Sequence, residues 1–262
     1  MLAAMLKAIM KRVQEELGVV PRWPAVTIPE LRRLEYGNSI LMRAAGIAEL
    51  GLARTGHIAN APQLSSTYAG TGAGLCVNYN DLDDCETEVD SGDLKHIMGV
   101  FFENSALRLA FASAIGAYRV YENIFEIDWE LGLASAERCA EYSCKHEFFE
   151  SVKAAIVDFG RREALAPLAV LVAGNAANNA LFQNALNDAM YELLPQNPAV
   201  VQGLAGISTN LTMLPARGAA EFAKRSLERP RGCQESHGCK QLRHTVSKNF
   251  KCLSTVSGEE EL

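Results

Sequence analysis

The stretch Leu168-Ala169-Val170-Leu171-Val172-Ala173-Gly174-Asn175-Ala176-Ala177-Asn178-Asn179 constrains the fold more than any other part of the chain. A short apolar run stops at a glycine and small polar residues. Phe182, Leu186, Met190 and Leu193 then recur at helical spacing. That order predicts a buried strand, a tight turn and a helix N-terminus, the βα unit of an α/β fold. The turn has two readings. Glycine lets a ligand approach the backbone, and a helix start offers unpaired N–H groups and partial positive charge. On that reading the turn at Ala173, Gly174 and Asn175 holds a nucleotide. On the other, the turn is kept small for strand–helix packing alone.

The chain has 262 residues, 48% of them hydrophobic and 21% charged, enough for one large domain or two lobes around a core. A net charge of −6 disfavours a nucleic-acid scaffold. No apolar run reaches the roughly 18–20 residues of a membrane span. Near the start, Leu2, Met5, Leu6, Ile9, Met10, Val13 and Leu17 form one helical face, and Gly18 follows as a stop. Lys7 interrupts the apolar run, which favours a buried-face helix over a secretory signal. Seven cysteines, an odd number in a chain of this length, then predict reduced thiols and a cytoplasmic location.

Along the chain, Pro24 to Pro29 reads as a strand and Leu31 to Leu50 as a helix that Gly37 interrupts. Leu52 to Ile58 reads as a strand, Asn60-Ala61-Pro62 as a turn and Gln63 to Ala69 as a short helix. Gly70 to Glu88 is glycine-rich, then acidic, and reads as a solvated loop. It lacks the glycine and closing glutamate of a calcium loop. Leu94 to Tyr121, rich in Ala, Phe and Leu, reads as a long helix, Ile124 to Trp129 as a strand and Ser135 to Phe159 as a helix. After the opening strand and its helix, Val200 to Ile207 reads as an edge strand and Ala216 to Arg225 as a close-packing helix. From Arg229 the composition turns to Arg, Lys, Ser and His. The expectation is a domain over residues 1–228 and a polar, disordered tail over 229–262.

The order of these segments resembles the nucleotide-binding domain of the seventy-kilodalton heat-shock chaperones, in the actin-like ATPase superfamily. The resemblance rests on three blocks. Met5 to Leu17, Ala25-Val26-Thr27-Ile28-Pro29 and Met42 to Leu50 look like the family's helix, Ala-Val-Ile-Thr-Val-Pro strand and Ala-Gly-x-Ile-Ala-Gly-Leu helix. Asn60-Ala61-Pro62 to Gly70 looks like its Asn-Glu-Pro-Thr-Ala-Ala-Ala segment. Phe148 to Leu186 with Arg217-Gly218-Ala219-Ala220 looks like the second lobe's helix, Leu-Val-Gly-Gly adenosine turn, helix and Gly-Ala-Ala helix. The resemblance implies a partial actin-like, ribonuclease-H-like fold: helix-rich, with a mixed sheet and packed helices, lacking the first phosphate-binding hairpin.

Several departures from that pattern concern the chemistry. No Asp and Gly-Thr-Thr hairpin precedes the first helix, and the lysine-bearing strand is missing. The second phosphate loop, Asp-Leu-Gly-Gly-Gly-Thr, is expected soon after Gly70, where Thr71-Gly72-Ala73-Gly74-Leu75 stands. The family's water-positioning glutamate falls at Ala61. Phosphoryl transfer depends on charge positioned around the γ-phosphate and magnesium, so the chain is not expected to hydrolyse ATP unaided, and no catalytic residue is assigned. ATP or ADP remains the expected ligand of the adenosine-side turn, with magnesium only alongside it. The expected role is nucleotide sensing or protein–protein interaction. The alternatives are an ATPase completed by a missing N-terminal segment or a partner, and a purely structural interaction protein. Missing first strands imply an exposed sheet edge and hence a protein partner or an oligomer.

Other clusters carry competing readings. Gly70, Gly72 and Gly74 cradle phosphate through backbone N–H groups or form a flexible exit from a truncated lobe. Cys233, His237, Cys239, His244 and Cys252 contain zinc-type ligands, but their spacing fits no standard finger. No metal site is assigned. Cys139 and Cys144, five apart on an expected helix, do not share a face closely. His146 with Glu147 or Glu150 reads as a helix-surface pair. Ser65, Ser66 and His57 make no triad signature, and nothing in the spacing shows that Asp128, Glu130 and Glu137 converge.

Overall fold

A computed structural model describes residues 1–19, 24–28, 35–52, 60–77, 79, 85, 87–88, 91–162, 169–194 and 210–228. The chain divides into a unit spanning Met1–Glu228 and a second spanning Arg229–Leu262. The second unit lies outside the described residues, and so do the expected strands at 52–58, save Leu52, and at 200–207.

Among the described residues, the larger unit is an α/β structure with two sheets. Helix α1, Leu2–Leu17, ends at Gly18 in the left-handed conformation, φ +67°, where the Gly18 N–H donates to the Gln14 carbonyl. Strand β1, Val26–Ile28, connects through helix α2, Glu35–Ile47, to strand β2, Asn60–Pro62, which pairs parallel to β1. Leu6 of α1 and Leu41, Ala44, Ala45 and Ala48 of α2 share an apolar cluster. Helix α3, Gln63–Gly70, follows β2 directly and is buried along its whole length.

The main sheet contains strands β3, Lys95–Phe102; β4, Leu107–Gly116; β5, Arg119–Asp128; and β6, Ala169–Ala173. Its order is β5-β4-β3-β6. The first three strands form an antiparallel meander, and β6 runs parallel to β3, with Phe101 opposite Ala173. Between β5 and β6 lie the short helix α4, Leu133–Glu137, and the 20-residue helix α5, Tyr142–Arg161. Helix α6, Ala180–Leu193, follows β6, and α7, Leu214–Glu228, closes the unit.

Helices cover both faces of the sheet. Met98, Val100, Phe102, Leu107, Leu109 and Phe111 point to α5 and α6, where Phe102 stacks on Phe182 at 4.3 Å between ring centroids. Ile97, Phe101, Ala110, Ala112 and Ala114 point to α3 and α7. The alanines on that face give α3 and α7 room to come close. Each helix brings a glycine to the contact: Gly70 sits on the Leu214 carbonyl and Gly218 on the Ser66 carbonyl, where a Cβ has no space.

Leu94 to Tyr121 is therefore not a helix. It is a β-hairpin plus the start of a third strand. Its residues are apolar on both faces, and the alternation of large Leu107, Leu109 and Phe111 with small Ala110 and Ala112 carries the period of two. Asn60–Pro62, expected as a turn, is a short parallel strand. The expected helix from Ser135 to Phe159 is broken between Arg138 and Glu141, so α5 starts at Tyr142.

Candidate functional site

In an open α/β sheet the ligand crevice lies outside the carboxyl ends of neighbouring parallel strands. Here that place is set by β3 and β6, the parallel neighbours of the main sheet. After β3 comes the hairpin turn Glu103-Asn104-Ser105-Ala106; after β6 comes Gly174-Asn175-Ala176-Ala177.

The two turns are tied to each other. Gly174 has φ +126°, and a Cβ on it falls on the Phe102 carbonyl oxygen. The Ala176 N–H donates to that same carbonyl at 3.2 Å. The Asn104 N–H donates to Asn175 Oδ1 at 2.9 Å. Thr212 Oγ1 donates to the Gly174 carbonyl at 3.3 Å. Gly174 is thus required by close packing of one strand end on another. Asn175 uses its side-chain oxygen within the protein.

The helix start beyond the turn is capped in the same self-contained way. Asn179 is the N-cap of α6, and its Oδ1 accepts from the N–H groups of Leu181 and Phe182 at 3.0 and 3.2 Å. These are the donors that a bound anion would take from an uncapped helix. An asparagine immediately before a helical pattern is the sequence signal for this cap, and Asn179 is a residue that the strand–turn–helix pattern alone does not single out.

The hairpin turn is hydrogen-bonded to itself and to α4, and it has no glycine. Glu103 N–H donates to the Ala106 carbonyl at 3.0 Å, and the Glu103 and Asn104 carbonyls accept from Leu133 and Ala134 of α4 at 3.0 and 2.9 Å. The cation nearest in sequence is also engaged. Arg108 is buried, donates to Glu103 Oε1 at 2.7 Å and lies over the Phe101 ring at 5.1 Å. A shallow pocket beside it is lined by Gln63, Phe101, Arg108, Phe125 and Glu126, among others. In it, Gln63 Oε1 is buried with no protein hydrogen-bond partner, and Glu126 pairs with Arg162.

The other glycines occupy different settings. Gly70 ends α3 beneath the Leu214 carbonyl. Thr212 covers Gly174, so one short segment leading into α7 covers both glycines. Gly72 has φ +86° with open space beyond it, in a turn where the Thr71 hydroxyl accepts from the Ala73 N–H at 3.2 Å. Gly74 also has positive φ, and a Cβ there meets the Tyr68 ring at 2.5 Å.

Among the described residues no three metal-ligating side chains come together; the tail cluster Cys233 to Cys252 lies outside them. Ser65 and Ser66 are buried within α3, and His57 is outside the described residues. His146, Glu147 and Glu150 are exposed on α5. Asp128 Oδ1 accepts from the Glu130 N–H at 2.9 Å within a turn. The cysteines correct the expectation of reduced thiols: Cys76–Cys85 and Cys139–Cys144 are disulfides. Cys139 and Cys144 meet because Cys139 precedes α5 rather than lying on it.

The fold and site define an α/β protein with a mixed sheet and packed helices, whose strand-end turns are closed on one another. No protein-family model matches the chain, and no curated protein matches its sequence significantly. Among the described residues no helix is long and apolar enough to cross a membrane.

Proposed function

We propose that the chain is a catalytically silent relative of the actin-like ATPases, similar to the nucleotide-binding domain of the seventy-kilodalton heat-shock chaperones, that works by binding another protein. The mixed sheet, with its antiparallel meander and parallel fourth strand, supports placement in that superfamily, as does the chain order of β2, α3, β6 and α7. One observation carries the silent part. At the crevice, Asn175 Oδ1, the Phe102 and Gly174 carbonyls and the first N–H groups of α6 all take partners from within the protein.

A nucleotide in this crevice must break those contacts. Each broken hydrogen bond costs about 0.5–1.5 kcal/mol net, so any adenosine-side affinity for ATP or ADP is weak. Magnesium has no role there without the nucleotide. The terminal strand β5 of the described sheet offers main-chain groups for pairing with a partner or a second copy. Two disulfides weigh against a permanently reducing compartment such as the cytosol.

Calorimetric titration with magnesium and ATP, alongside a phosphate-release assay, tests the silent reading. The expected result is no turnover and at most weak binding that Asn175→Ala alters. Tight binding with turnover would overturn it. The protein-binding part is tested by molar mass in solution, alone and with candidate partners. A clean monomer that captures nothing refutes it.

A further inference from the structure

The two disulfides have opposite surroundings. Cys76–Cys85 is closed off: the cysteines are 2% and 4% exposed, and Tyr79 and Ile115 pack against them. Arg225, lying over the Tyr79 ring at 4.5 Å, donates to the Cys76 carbonyl at 2.5 Å and fastens that loop to α7. Cys139–Cys144 is at the surface, with Cys144 exposed and Cys139 half-buried.

Cys144 also stands in the first turn of α5, a 20-residue helix whose N-cap is Glu141. Glu141 makes no side-chain capping bond; its carboxylate accepts from the Ser143 hydroxyl at 3.5 Å instead. The first-turn N–H groups therefore have no side-chain cap at Glu141. A sulfur released at Cys144 meets those donors and the positive end of the helix dipole, which favour a thiolate.

We propose that Cys139–Cys144 is a thiol–disulfide exchange site for a low-molecular-weight thiol of the glutathione class, with Cys144 as the leaving thiolate. The thiolate of one such molecule attacks Cys139 Sγ. A new sulfur–sulfur bond forms, the Cys139–Cys144 bond breaks, and its electron pair leaves on Cys144 Sγ. A second thiolate attacks the sulfur of the bound thiol, releasing the symmetrical disulfide and leaving Cys139 as a thiolate. The protein disulfide gains two electrons and the two small thiols lose them. Exchange is fast where the sulfur is accessible and the leaving thiolate is stabilised. Cys139, only half-buried, is more open to attack than either cysteine of Cys76–Cys85, and Cys144 leaves at the helix start.

The test uses the oxidised full-length chain under native conditions. It is incubated with reduced glutathione, quenched with acid, alkylated and mapped by peptide mass. Cys139 and Cys144 are expected to label on the order of tenfold faster than Cys76 and Cys85, with a Cys139–glutathione adduct at early times. Equal rates, Cys76–Cys85 opening first, or Cys139 and Cys144 labelling without any thiol would each overturn the proposal. Glu141→Asp tests the leaving group, because a shorter carboxylate is a better cap and competes for the first-turn N–H groups. It should slow opening of Cys139–Cys144 severalfold and leave Cys76–Cys85 unchanged; an unaltered rate for Cys139–Cys144 would refute the part assigned to the helix end.

Discussion

Replacing Gly174 with alanine separates a packing glycine from a ligand glycine. At φ +126° an L-residue is strained, by about 1–3 kcal/mol. The new Cβ also falls on the Phe102 carbonyl oxygen. That oxygen cannot easily retreat: it accepts the Ala176 N–H, and the Phe102 side chain is fully buried and stacked on Phe182. Forcing it aside adds about 1–3 kcal/mol. The total, about 4 kcal/mol, is a large share of the ~5–15 kcal/mol that typically holds a domain folded. Gly72→Ala is the matched control, since its φ of +86° carries strain with nothing within 4 Å of the new carbon; about 1–2 kcal/mol is expected. Urea unfolding followed by circular dichroism gives both values. At a slope of about 2 kcal/mol/M the Gly174→Ala midpoint should fall by ~2 M, at least twice the loss of Gly72→Ala. Equal losses would refute the close approach of β6 to β3, and an unchanged midpoint with lost nucleotide binding would restore Gly174 as a ligand residue.

Three further perturbations read other parts of the fold. Phe182→Ala removes a fully buried ring from the stack with Phe102 and should cost about 3–5 kcal/mol in the same urea assay. Asn179→Ala removes the cap of α6 and should cost about 1 kcal/mol, most of it restored by Asn179→Ser. Replacing Cys76 and Cys85 together by serine opens a loop with a sequence separation of 9 and should cost about 2.5 kcal/mol; a thermal melt unchanged from the parent would mean that burial, not the crosslink, holds that loop.

The parts of the fold legible in the sequence are those with one buried face or one strong punctuation mark. The strand over 169–173 and its helix were readable because an apolar run ends at Gly174 and a helical period starts again at Phe182. The N-terminal helix was readable from its apolar stripe and Gly18. The β3–β4 hairpin and the first half of β5 were not, because both faces of the sheet are covered and polar alternation is lost, whereas Ile124 to Asp128 of β5 reads as strand. Alanines at 110, 112 and 114, helix formers by propensity, are chosen there for the closeness of α3 and α7, a tertiary demand that no local window contains. With Leu94 to Tyr121 read as a helix, Gly70–Gly74 is the stretch left as a candidate phosphate loop. The hairpin facing the Gly174 turn is Glu103–Ala106. The Cys139–Cys144 disulfide is hidden for a related reason: the helical pattern from Ser135 places Cys139 on a helix that starts only at Tyr142.

The proposed silence of the crevice has two candidate causes, missing groups or occupied ones, and a direct test separates them. One turn holds a donor, and a cation stands just after it at the start of β4, but each is engaged: the Asn104 N–H by Asn175, and Arg108 by Glu103. Releasing both should expose an anion site that the parent lacks. Asn175→Ala frees the Asn104 N–H, and Glu103→Gln keeps a hydrogen-bond acceptor for Arg108 while removing the opposing charge. A charge-assisted bond is about twice as strong as a neutral one, so the guanidinium gains the freedom to turn to a phosphate. The double variant should bind ADP about tenfold more tightly than the parent, about 1.4 kcal/mol, by calorimetry. Each single variant should gain less, and added salt should erode the gain because the new contact is ionic. If the double variant folds with unchanged circular dichroism and binds no better than the parent, occupied groups do not silence the crevice. What remains is the turn itself: without a glycine, Glu103–Ala106 cannot bring its backbone N–H groups round a phosphate.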